Sequence, residues 1–206
     1  MKIKLLIIPL ALFTQNALSA TFEKDLVSAA IERTNHVVKY DGSYTPIPYP
    51  GGDVPSNIGV CTDVVIRSYR TIGIDLQQLV HEDMLNNFDK YPSKIIWGMR
   101  GPDSNIDHRR VPNLRVFFKR HGQNLSITNN KQDYVPGDLV TWILPGNLPH
   151  IGIVTDKTDI QSGNPLIVHN IGEGAKMEDI LFKYKITGHY RYIPEKYNKR
   201  IVGDAE

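Results

Sequence analysis

Gly59-Val60-Cys61-Thr62-Asp63-Val64-Val65 carries the only cysteine of the 206-residue chain and reads as a loop entering a helix. From Cys61 the helical pattern runs to Ile72, and Gly73 stands where a helix C-terminus would close. A thiol at a helix start has orphan N–H groups and the positive end of the macrodipole beside it, and both favour the thiolate. Asp63 in the first turn stabilises such a helix and is expected to point away from the sulfur. Two histidines follow in strand-like contexts, Pro149-His150-Ile151-Gly152-Ile153-Val154 and Leu166-Ile167-Val168-His169-Asn170. An imidazole within reach of a thiol can take its proton and return it to a leaving group, and a further polar group then holds the ring in place. Cys61 is therefore the candidate nucleophile and His150 the candidate base. The orienting group is His169 or Asn170, since neighbouring strand residues face opposite sides. A neutral imidazole can accept the N–H of the base, which favours His169.

Around these segments the chain reads as helices first and strands afterwards. Thr21 to Val38 has Phe22, Leu26, Ala29, Ala30, Arg33 and Val37 near one helical face. Tyr40 to Ile58 is a loop, because Pro46, Pro48, Pro50, Pro55 and Gly51-Gly52 exclude regular structure. Asp75 caps a helix that reaches Asp89 and is halted by Pro92. Ser93 to Val111 is polar and irregular, and Pro112 opens a helix that ends at Gly122. Strands are expected at Leu139 to Leu144, His150 to Thr155, Pro165 to Asn170 and Gly188 to Ile193, separated by turns such as Pro145-Gly146-Asn147. This order gives an α+β domain, with helices packed on an antiparallel sheet.

The bulk properties restrict the function classes. The formal charge is +2, and without Lys2 and Lys4 the basic and acidic residues balance, so neither nucleic acid nor a polybasic membrane contact is indicated. Lys2 and Lys4, the apolar run Leu5 to Phe13 and the small residues Ala17, Ser19 and Ala20 read as a secretory signal over residues 1–20. The run is too short for a comfortable bilayer span, so the mature chain is expected to be a periplasmic or secreted monomer of one domain, residues 21–206. In an exported protein a lone cysteine is reactive, intermolecular or simply a buried small hydrophobe. No cofactor and no metal are expected. His81, Glu82 and Asp83 are adjacent on a helix and do not converge, and His36, His121 and His189 read as surface or cap residues.

GVCTDVVIRSYRTIGID, VPGDLVTWILPGNLPHIGIV and PLIVHNIG resemble, in order, the three catalytic segments of NlpC-type cell-wall peptidases. The resemblance implies a papain-like core with Cys61 on a helix N-terminus and His150 and His169 on strands. It implies an amide bond in peptidoglycan, or a peptide-like substrate, as the target. Tyr49-Pro50-Gly51-Gly52 is similar to the loop that places a tyrosine near the oxyanion in that group, which makes Tyr49 a candidate. The chain as a whole resembles a set of exported bacterial proteins of unknown function within the group, NIDHRRVPNL being similar to a stretch typical of them. Two features depart from the NlpC pattern. Val60 stands where those enzymes carry an aspartate, and a polar insert occupies residues 93–122. In the insert, Asp107, His108, Arg109 and Arg110 could hold a substrate carboxylate, because arginine forks match carboxylates, or could form a structural ion-pair network. An amidase or acyltransferase on another substrate and a catalytically silent cell-wall binding module are the competing readings.

Overall fold

A computed structural model describes residues 10–195 and residue 197, with side chains from Thr21 onward. The expected basic leader residues Lys2 and Lys4, and the apolar run as far as Pro9, lie outside the described residues. In chain order the helices are α1 (Leu10–Glu32), α2 (Cys61–Thr71), α3 (Leu76–Asn87), α4 (Ser93–Trp97) and α5 (Val111–His121). The strands are β1 (Lys39–Tyr40), β2 (Ile58–Gly59), β3 (Gln123–Asn124), β4 (Leu139–Leu144), β5 (Leu148–Thr158), β6 (Pro165–His169), β7 (Lys176–Glu178) and β8 (Lys185–Arg191). The fold class is α+β: β3-β8-β4-β5-β6-β7 form one antiparallel sheet, and β1 and β2 form a separate parallel pair.

Strand alternation divides the apolar side chains between two layers. Leu139, Ile151, Ile153 and Val168 face the helices and pack with Phe22, Leu26, Val65, Tyr69, Leu114 and Phe118. Val140, Trp142, Val154 and Ile167 face the other way and pack with Tyr134, Ile180 and Leu181. Cys61 belongs to the first layer. In the turn before β4, Asp138 is fully buried and accepts from His189 Nε2 (2.7 Å) and Arg191 Nε (2.8 Å), so its charge is paired across the sheet. His189 is therefore an internal residue rather than the surface or cap histidine its sequence context suggested.

Other departures have local causes. The first helix ends at Glu32, followed by a 3₁₀ turn (Arg33–Asn35) and extended backbone at His36. Val37 is consequently exposed, because the chain there runs toward β1 and its pairing with β2. The stretch expected to be irregular contains α4, closed by Gly98 at φ 64°. The described part of α1 runs unbroken through Ser19 and Ala20. Among the described residues no helix is long and apolar enough to cross a membrane.

Candidate functional site

Cys61 is the first residue of α2, with Val60 as N-cap in extended backbone. Val60 lacks a capping side chain, and Asp63 supplies the terminus instead: its Oδ2 accepts the Val60 N–H at 2.7 Å. The same carboxylate receives the Arg109 fork, Nε to Oδ1 and Nη2 to Oδ2, both at 2.9 Å. Both side chains are almost completely buried. Thr62 Oγ1 donates to the Arg109 carbonyl at 3.0 Å, so the insert is tied to the start of α2 twice. Asp63 is thus directed away from the sulfur and paired, although its field still raises the thiol pKa.

The backbone N–H groups of Ile151, Thr62 and Cys61 itself lie near the sulfur, and all three favour the thiolate. Val154 N–H donates to the Asp138 carbonyl, on the β4 side. Alternation turns the Ile151 N–H the other way, toward β6. Ile153 pairs with Val168 and β6 ends at His169, so the Ile151 N–H lies past the end of the β5–β6 ladder, on the side of the sulfur.

His150 precedes Ile151 on β5. Its Nε2 lies 3.2 Å from His169 Nδ1, with the rings edge to face. The pair extends to β7, where His169 Nε2 is 3.2 Å from Glu178 Oε2, an ion-pair distance without hydrogen-bond geometry. Asn170 is occupied otherwise: its Oδ1 accepts the Gly172 N–H at 2.9 Å. Gly152 makes the strand approach possible, because a Cβ there would lie 2.6 Å from Ile167 Cγ2 and 3.1 Å from His169 Cβ.

Electrostatically the site rests in a neutral state. Burial is the largest influence on Cys61 and pushes its thiol up to about 12 against the helix-terminus donors. Burial, then the neighbouring His169, pushes His150 down to about 3. Burial also lowers His169, with Glu178 opposing. The expectation of a thiol already ionised at neutral pH is corrected here: desolvation outweighs the helix end. Among the described residues no hydrogen bond joins Cys61 to His150, and none uses His150 Nδ1.

A model of the family described as "Domain of unknown function (DUF1287)" matches residues 27–192. The chain belongs to the DUF1287 family. It is 50% identical over 167 residues to "Uncharacterized protein YijF" of Escherichia coli (strain K12), a match covering 81% of this chain and 80% of that protein. The DUF1287 segment contains Cys61, His150, His169 and the whole insert.

Two further expectations are revised within that segment. Tyr49 is turned to α3, its ring 4.9 Å from that of His81. Its loop is held there because Gly51 N–H and Gly52 N–H donate to Asp75 and Gln77. The tyrosine coupled electrostatically to Cys61 is Tyr40 on β1, its hydroxyl pushed up to about 12 by desolvation first and then by Cys61 and Asp63. Nothing in local sequence marked Tyr40; the β1–β2 pairing brings it there. The Asp107–Arg110 cluster also does not act as one receptor. Asp107 accepts from the Asp103 N–H and from Asn113, and burial pushes it up to about 6. His108 is buried and pushed down to about 3, by burial first. Arg109 is held by Asp63, which leaves Arg110.

Proposed function

We propose that this chain is an exported cysteine hydrolase with a papain-like, NlpC-type core, cleaving an amide bond in peptidoglycan stem peptides. The observation that carries the reading is a thiol at the tip of α2 beside the backbone N–H of Ile151, the residue after His150, together with a His150–His169 pair at 3.2 Å. His169 engages His150 at Nε2, and in the proposed reaction Nδ1 takes the thiol proton. In the reaction the Sγ–H proton moves to His150 Nδ1, and sulfur attacks the substrate carbonyl carbon. The N–H groups of the first turn of α2 stabilise the resulting oxyanion. His150 then returns the proton to the departing amine, leaving a thioester. Water, deprotonated by His150, hydrolyses that thioester and regenerates the thiol.

The neutral thiol and neutral imidazole of the resting state require the proton to move after substrate arrives, when the contact between the two groups tightens. The burial of the sulfur is equally what a silent binding module would display, and such a module binds without turnover. Mass spectrometry of defined muropeptides incubated with the mature protein and with Cys61→Ala separates the two. New amine and carboxylate termini formed by wild type alone support the hydrolase. Identical digestion by Cys61→Ala, or no digestion by either, overturns it. The apolar leader run supports export, which N-terminal sequencing of the periplasmic protein tests by showing whether cleavage follows Ser19 or Ala20.

A further inference from the structure

Beside the start of α2 is a cleft of about 320 Å³, lined by Gly42, Tyr44, Val60, Trp97, Ile106, Arg109 and Arg110. Val60 is the residue before Cys61, so the cleft borders the sulfur's own loop. Its polar groups are nearly all occupied. The Tyr44 hydroxyl donates to Asp103 and accepts from Asn105, and the Arg109 fork is on Asp63.

Arg110 is the exception. Its guanidinium stacks on the Trp97 ring, 4.0 Å from the centroid. The nearest carboxylate, Asp107, is 3.6 Å from Nη1, beyond hydrogen-bonding range, and has its own donors in the Asp103 N–H and, at 3.4 Å, Asn113 Nδ2. Nη1 is buried without an acceptor, and among the described residues nothing accepts from the rest of the fork. Stacking fixes a planar cation whose donors are unused, and this geometry recognises a carboxylate bidentately.

We propose that Arg110, held by Trp97, binds a carboxylate of a peptide substrate in this cleft, as a specificity-determining residue of the site described above. The proposal deepens that reading and rests on it for the substrate class. One guanidinium with unused donors, between the apolar walls of Ile106, Trp97 and Val60, matches a planar, singly charged carboxylate. A phosphate would carry more charge than this cleft neutralises.

Binding to the full mature chain in a Cys61→Ala background tests the idea without turnover. The probes are the peptide L-Ala-D-isoGlu-L-Lys-D-Ala and the same peptide with its carboxylates amidated, titrated by calorimetry. The free acid is expected to bind at least about tenfold more tightly than the amide, as for a hydrogen bond to a charged group. Arg110→Gln should remove that preference, and Arg110→Lys, which keeps the charge without the fork, should retain part of it. Thermal melts confirm that each variant folds, and Arg110→Lys carries the test if Arg110→Gln does not. Equal affinity for the two peptides, an unchanged ratio in the variants, or no saturation by either peptide overturns the proposal. Failure of the hydrolase reading shows differently: muropeptide digestion persists in Cys61→Ala while the acid-over-amide preference stands.

Discussion

Replacing Arg109 with methionine tests how the insert is coupled to the start of α2. The substitution keeps much of the buried stem and removes the fork. Asp63, with its side chain 3% exposed, then retains only the Val60 N–H at 2.7 Å as a donor among the described residues. Breaking a buried ion pair from one side costs about 3–5 kcal/mol, because the remaining charge stays desolvated. For a chain of this size each kcal/mol shifts Tm by about 2–4 °C, so a fall of about 6–20 °C is expected. Adding Asp63→Asn removes the stranded charge while keeping an oxygen for Val60. The double variant should therefore be more stable than Arg109→Met alone, with a coupling of about 1–3 kcal/mol. Urea unfolding of the four proteins in the cycle gives the number. A single-variant cost below about 1 kcal/mol, or strict additivity, would refute the claim that the pair is a buried clamp. The same variant bears on chemistry: an unpaired Asp63 carboxylate raises the Cys61 thiol further, so alkylation should slow rather than accelerate.

Iodoacetamide should label Cys61 in the folded protein at about pH 8 at least tenfold more slowly than in the urea-unfolded chain, since thiolate is the reactive form; mass spectrometry reads the rates, and equal rates would contradict a thiol pushed up to about 12. His150, pushed down to about 3 in the fold, has an ordinary value of about 6.5 when unfolded. The unfolded chain thus binds the proton first, and the stability from neutral His150 is complete above about pH 6.5 and lost as pH falls toward 3. His150→Gln should flatten the decline of the urea midpoint between about pH 6.5 and pH 4; an unchanged slope would assign the acid sensitivity to His108 and His169. Gly152→Ala would place a Cβ 2.6 Å from Ile167 and 3.1 Å from His169, and should cost about 1–3 kcal/mol through overpacking, measured by the same melts.

What the sequence displayed and what it concealed separate along one physical line. The start of α2 at Cys61, the Asp75 cap, Pro112 at the head of α5 and the alternation in β4 to β6 are encoded within a few residues, and each was legible. The features that give the site its character are non-local. Asp63 and Arg109 are 46 positions apart, Tyr40 arrives through a two-residue parallel pairing, and Glu178 reaches His169 from a strand of three residues, too short to be read from its pattern. Local sequence could suggest that four polar residues at 107–110 form a cluster. It could not show that Asp63 holds Arg109 and leaves the donors of Arg110 without an acceptor. The state of the thiol shows the same limit at one atom. A helix start favours thiolate by its donors, which are local and legible, whereas the desolvation of Cys61 depends on Ile151 and the rest of the first core layer. The non-local influence is the larger, which is why the resting thiol is neutral. For a hydrolase this has a mechanistic consequence: nucleophile and base rest uncharged, and ionisation must accompany substrate entry. Reactivity toward small alkylating agents and turnover of a bound peptide should therefore be separable properties of Cys61.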